Sequence, residues 1–186
     1  YTVKPDPEEF NKYPVQVGEL WACGNHRIIC GDIYNSSVLE QLFSGADITA
    51  CKLALVHPDS GMSDVSPVLN NILSYAESAL VIPDKYDIGY WMDALTHSEY
   101  PYDIGMWQSP DGISTEVNGL IAENNLFKPL LYILRDMPSS EIGSVLQNDI
   151  IYAKFNDAFI EQGRFDGALS KDFVQEILRL FSTRGD

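Results

Sequence analysis

The residues best placed to do chemistry lie where an apolar run breaks. Leu53-Ala54-Leu55-Val56 is followed at once by His57-Pro58-Asp59-Ser60-Gly61. An apolar run of strand length that stops at a proline is the pattern of a buried central strand delivering a loop at its carboxyl end. This loop would carry an imidazole, a carboxylate and a hydroxyl. A neutral imidazole accepts one hydrogen bond, so His57 can receive one from an amine. The plainer reading makes 57–61 a strand-to-helix turn and nothing more; both readings stay open. Asp32, which closes Gly31-Asp32, reads from its place as an Asp that ends a strand for structural reasons.

Other groupings are weaker. His26, His57 and His97 with Cys23, Cys30 and Cys51 offer zinc-type donors, but zinc ligands come in close pairs such as C-x2-C and this chain has none, so no metal is expected. An odd number of thiols fits a reducing compartment better than a disulfide scaffold, and a bacterial or phage cytoplasm is the working expectation. A catalytic serine needs a strained elbow flanked by glycines, which Gly61-Met62-Ser63 lacks. Tyr86, Tyr90, Trp91, Tyr100, Tyr102 and Trp107 can in principle stack bases. Their helical spacing and strand context assign them first to the core or to a protein interface.

The elements that must position these residues alternate between strand and helix. Residues 1–17, with Pro5, Pro7 and Pro14 among polar neighbours, read as an arm or linker, and 18–186 as one domain. Leu20-Trp21-Ala22 and Arg27-Ile28-Ile29 flank Gly24-Asn25 and predict a hairpin. Ser37 and Glu40 have the spacing of a capping box, so a short helix opens there. Val65, Val68, Leu69, Ile72, Leu73 and Ala76 share one helical face, and the strand Ala79–Ile82 turns at Pro83-Asp84. Ile88, Trp91, Met92 and Leu95 mark the next helix. Strands are expected near Tyr102–Trp107, at Leu130–Leu134 and at Asp149–Phe155, with a mobile loop over 108–125. Phe173, Ile177, Leu178 and Phe181 form the inner face of a last helix. Such alternation predicts an α/β sheet with helices on both faces.

Two stretches point to a family. Gly18-Glu19-Leu20-Trp21, followed by Gly24-Asn25-His26-Arg27 and closing on Gly31-Asp32, resembles the opening frame of DNA methyltransferases that act on exocyclic amino groups, at N6 of adenine or N4 of cytosine. The helix ending Leu178-Arg179-Leu180-Phe181-Ser182-Thr183-Arg184-Gly185-Asp186 resembles the one that precedes the cofactor strand in the permuted members of that family. The resemblance implies a partial doubly wound, methyltransferase-like (Rossmann-like) sheet, S-adenosylmethionine as cofactor and DNA as partner. It places Asp32 beside the cofactor's adenosine and sets His57, Pro58, Asp59 and Ser60 where the family carries Asp-Pro-Pro-Tyr. Only Pro58 and the trailing Gly61 keep the pattern. In the family, the Asp side chain and a proline carbonyl accept hydrogen bonds from the target amine while the aromatic ring stacks on the flipped base. The family's glycine-rich cofactor loop does not occur in these residues. The expected function is therefore a segment of a SAM-dependent DNA methyltransferase that is weakened or inactive in this chain; the alternative is a non-enzymatic protein-interaction module on the same fold.

Composition bounds both readings. The chain has 186 residues, 45% of them hydrophobic, enough for one globular core. No apolar run approaches the ~20 residues of a membrane span. A first residue of Tyr1 suggests a segment of a longer polypeptide. With 27 acidic and 12 basic residues the formal net charge is −15. DNA binding draws most of its affinity from Lys and Arg contacts to phosphate, and no basic cluster is legible, so the charge disfavours DNA as a partner. A homodimer or a protein partner is the expectation in its place, since a truncated sheet leaves an apolar strand edge.

Overall fold

The computed structural model describes residues 15–46, 50–58, 61–84, 86–108, 116–117, 120–121, 127–135, 150–152, 169 and 171–181. The chain divides into two compact units, Tyr1–Thr49 and Ala50–Asp186. The junction expected after residue 17 lies close to where the described residues begin; the division that the chain contacts show falls after Thr49.

The first unit is a hairpin and a helix. Strands β1 (Leu20–Cys23) and β2 (His26–Ile29) pair antiparallel with Leu20 opposite Ile29, as the Gly24-Asn25 turn predicts. Gly24 takes φ +62, the left-handed conformation that such a turn needs. Helix α1 (Ser36–Phe43) follows. Its cap is Asn35 and not the expected Ser37: the Asn35 Oδ1 accepts from the Ser37 backbone N–H at 3.1 Å and from the Ser37 hydroxyl at 2.8 Å. Asparagine competes well for this position, and it moves the cap and the helix start back two residues from the boundary that Ser37 and Glu40 suggested. Hydrogen bonds tie helix to hairpin, with the Arg27 guanidinium donating to the carbonyls of Leu42 (3.0 Å) and Ser44 (2.5 Å) and the Gln41 amide donating to that of Gly18 (3.1 Å).

The second unit is an α/β sheet of five strands in the order β3-β4-β8-β5-β9. These are β3 (Cys51–Val56), β4 (Ala76–Val81), β5 (Tyr102–Gln108), β8 (Phe127–Leu134) and β9 (Ile150–Tyr152). Strand β4 runs parallel to β3, β9 runs parallel to β5, and β8 lies antiparallel between β4 and β5, so the sheet is mixed. Helices α2 (Ser66–Tyr75) and α3 (Ile88–His97) follow β3 and β4, and α4 (Lys171–Phe181) is the last element.

Alternation along the strands separates two layers. Leu80 and Ile82 of the β4 segment, Trp107 of β5, and Leu130, Tyr132 and Leu134 of β8 form one buried cluster with Phe173 and Ile177 of α4. Trp107 and Phe173 stack with ring centroids 3.7 Å apart. Ala79, Val81, Leu131 and Ile133 face the other way and are fully buried as well, on the side to which α2 contributes Val68, Leu69, Ile72 and Leu73 and α3 contributes Trp91, Ala94 and Leu95. Helices thus cover both faces, as the sequence predicts.

Three expectations need correction. Leu53–Val56 is a strand, but among the described residues it is the edge of the sheet and not its centre, paired only with β4. A continuous apolar run reports that both faces are covered; it carries no information on lateral neighbours. The segment 108–125 is not wholly loop, since Glu116–Val117 (β6) and Leu120–Ile121 (β7) pair antiparallel; the rest of that loop lies outside the described residues. Leu178 is 52% exposed, so of the expected inner face Phe173 and Ile177 are buried and Leu178 is not; the Phe181 side chain lies outside the described residues. Among the described residues no helix is long and apolar enough to cross a membrane.

Candidate functional site

Parallel pairing brings the carboxyl ends of β3 and β4 side by side. Val56 is in register with Val81, and the Ile82 N–H donates to the Val56 carbonyl at 2.9 Å, so the ladder holds to the last residue of β3. The chain then leaves β3 through His57-Pro58 and leaves β4 through Pro83-Asp84. Proline cannot continue either ladder, which is why both segments turn away at the same level. Crevices at the carboxyl ends of strands are where open α/β sheets hold their ligands.

His57 is exposed at this end and Pro58 is half-buried; Asp59 and Ser60 lie outside the described residues. Gly61 resumes the loop with φ +88, a conformation that disfavours any side chain. Its backbone N–H donates to the Asp87 Oδ2 at 2.6 Å. Asp87 is only 6% exposed and, with Ser78, is one of the two buried polar residues among those described.

Asp87 is the site residue that sequence reasoning missed. An Asp directly before an amphipathic helix reads as an N-cap. Asp87 does occupy that position before α3, but its carboxylate makes no capping bond. Instead it holds the Gly61 N–H and clamps the end of the β3 loop against the start of α3. Asp84 organises the turn around it, accepting from the Tyr86 N–H through Oδ1 at 2.9 Å and from the Asp87 and Ile88 N–H groups through its carbonyl. Tyr86 and Tyr90 flank Asp87 at 80% and 48% exposure. Of the remaining candidate aromatics, Trp91 and Trp107 are core residues, and Tyr100 and Tyr102 are half-buried.

Asp32 belongs to the first unit. It is exposed, and its Oδ1 accepts from the Tyr34 N–H at 2.9 Å while its carbonyl accepts from Asn35, closing the turn into α1. That is the structural role an Asp at a strand end performs. Gly31 beside it is required by packing, since a Cβ there would lie 2.7 Å from the Val38 methyl groups. His26 and His97 are also exposed, all three cysteines are free thiols, and no three potential metal ligands converge among the described residues. Burial raises the Cys51 thiol pKa above its ordinary 9.0.

A SAM site needs close backbone approach at a glycine-rich strand end. Among the described residues, the left-handed glycines are Gly18, Gly24, Gly45 and Gly61, and no two of them share a turn. The described residues therefore do not make a complete cofactor cradle.

No protein-family model and no curated protein matches the chain. Among solved structures, the crystal structure of the M1.HpyAVI–SAM complex matches with a TM-score of 0.54 at 9% identity, covering 80% of this chain and 74% of that one. The crystal structure of M1.HpyAVI matches with a TM-score of 0.51 at 8% identity over 81% of this chain and 74% of that one. Identity this low speaks to architecture alone. Sheet, helices and comparison agree that the chain has a methyltransferase-like α/β fold.

Proposed function

We propose that this chain is the base-binding half of a SAM-dependent DNA amino-methyltransferase, acting at N6 of adenine or N4 of cytosine, and that its altered loop leaves it weak or silent as a catalyst. The observation that carries this reading is the position of His57-Pro58. In a sheet matched to a SAM-bound structure, these residues leave the carboxyl end of β3 beside the end of β4. An exocyclic amine is a poor nucleophile, and catalysis there is positioning plus acceptors aimed at the nitrogen. His57 supplies one acceptor where two carboxylate oxygens would do better, and Ser60 supplies no ring. Asp87 acts as a positioning residue by holding the loop through Gly61.

Incorporation of labelled methyl groups from SAM into mixed-sequence DNA tests this directly. The expected result is none above background. Turnover that disappears on Pro58→Ala would show that the loop is competent and the proposal wrong.

A second reading, an interaction module without catalysis, is favoured by the net charge of −15 and by the edge position of β3 among the described residues, where Leu53 and Leu55 are only partly buried. An exposed apolar edge favours association with a second copy or another chain. Sedimentation equilibrium separates the readings: a dimer that dissociates on Leu55→Lys supports the second, and a monomer at all concentrations removes self-association from it.

A further inference from the structure

Helices α2 and α3 do not close against each other along their whole length. Between them and the turn into β5 lies a cleft of about 320 Å³, lined by Ser66, Leu69, Asn70, Ala94, His97, Ser98, Glu99 and Tyr100. Leu69 and Ala94 make its apolar floor, both nearly inaccessible. All of its walls belong to the second unit, and none of them takes part in the loop site at the ends of β3 and β4.

The wall chemistry is one-sided. Among the described residues of the lining, Glu99 is the only one of fixed charge and none is Lys or Arg. The Tyr100 hydroxyl donates to the Asn70 Oδ1 at 3.4 Å, so its oxygen lone pairs remain available as acceptors. The Ser98 hydroxyl donates to the Leu95 carbonyl at 2.9 Å and accepts from the Tyr100 N–H. His97 Nδ1 lies 2.8 Å from the Asp93 carbonyl and 3.6 Å from the Asp93 Oδ1, both of which accept, so this nitrogen is turned to Asp93. His97 and Ser98 are the last residue and the cap of α3, where the helix dipole places partial negative charge. Ser66 opens α2, so a positive helix end also borders the cleft, but an anion would meet that attraction against Glu99.

A lining rich in acceptors, with one carboxylate, a helix carboxyl end and a half-buried aromatic ring, selects a planar cation rich in donors. We propose that the α2–α3 cleft binds an alkylguanidinium group, its fork paired with the Glu99 carboxylate and its plane against the Tyr100 ring. Guanidinium suits this wall better than ammonium, because its five N–H groups lie in one plane and it stacks on aromatic faces. The volume admits the group with a short alkyl stem, and the chain's negative field raises the local concentration of cations. This inference does not rest on the methyltransferase reading.

The test is a titration of the full chain with agmatine, followed by calorimetry and by backbone amide shifts. Saturable one-to-one binding is expected, with shifts confined to residues near 66–70 and 94–100. Glu99→Gln should weaken it about tenfold, the scale of a charge-assisted hydrogen bond. Glu40→Gln removes an exposed charge that does not line the cleft and should leave it within about twofold, since attraction to bulk charge is largely screened. Both residues are exposed, so neither variant threatens folding. Tyr100→Phe keeps the ring and should retain most of the binding. Butylurea, a neutral molecule of similar shape, should not bind. Absence of saturable binding, equal losses in the Glu99 and Glu40 variants, or butylurea binding as well as agmatine would each overturn the proposal, the second by showing attraction to bulk charge alone.

Discussion

The two units of this chain are held in different ways. None of the described residues of the first unit is buried, and hairpin and helix are joined by hydrogen bonds from Arg27 and Gln41 to backbone carbonyls. The second unit contains every buried apolar residue among those described, and its sheet is sealed on both faces. The segment most legible as a family frame, Gly18–Asp32, thus lies where packing is least, and the sheet that the frame implies is built from strands that hold no family motif. Sequence motifs mark turns and polar fixtures; the sheet is specified by apolar periodicity, which many sequences satisfy equally well.

The largest effect should come from the sheet core. Trp107→Ala removes a fully buried ring stacked on Phe173 and should cost about 3–5 kcal/mol in denaturant unfolding, the range for large aromatic truncations. If the loss is below about 1 kcal/mol, α4 does not depend on the sheet as described.

The loop clamp comes next. Asp87→Ala strands the Gly61 N–H and should cost roughly 1.5–3 kcal/mol, the worth of a hydrogen bond to a charged group. Asp87→Asn, which keeps an acceptor oxygen, should recover about half of that. Equal losses in the two variants would mean that the negative charge, and not the hydrogen bond, holds the loop.

In the first unit, Arg27→Ala should cost about 1 kcal/mol, felt locally. Amide exchange should accelerate across Ser36–Phe43 with little change in β3 or β4. Acceleration throughout the second unit would show that the two regions unfold together and would erase the contrast drawn here.

The smallest effect separates two thiols. Cys51 is half-buried on β3, and burial raises its pKa above 9.0, whereas Cys23 is exposed on β1. A thiol whose folded pKa exceeds its unfolded value leaves stability intact below pH 9.0 and lowers it as the pH rises toward the folded value, because the unfolded chain ionises first. Alkylation at pH 8 should therefore modify Cys23 well before Cys51 in the native protein, and at similar rates in denaturant.

Much of this was legible in the sequence. The hairpin around Gly24-Asn25, the helical face from Val68 to Leu73 and the strand–loop boundary at Pro58 follow from turn chemistry and apolar spacing. What was not legible has physical reasons. The edge position of β3 depends on which strands pair with it, and Leu53–Val56 would read the same with a neighbour on each side. The antiparallel insertion of β8 is set by a long connection whose pairing has no local code. Asp87 was hidden because an Asp at a helix start has a commoner use, and only the proximity of β3 and β4 reveals that its carboxylate goes to Gly61. The cleft between α2 and α3 arises from small and polar side chains on helix faces that periodicity marks simply as solvated.

As proposed above, this chain has a methyltransferase-like sheet with a loop held by Asp87, and its described residues do not complete a cofactor site. Calorimetric titration of the chain with SAM tests it most directly. The account predicts no saturable heat, because Asp32 is engaged in a turn and no glycine-rich cradle occurs among the described residues. Saturable binding at micromolar concentration would contradict it, and would mean that a cofactor site is built from residues that neither Asp32 nor the β3 loop reveals.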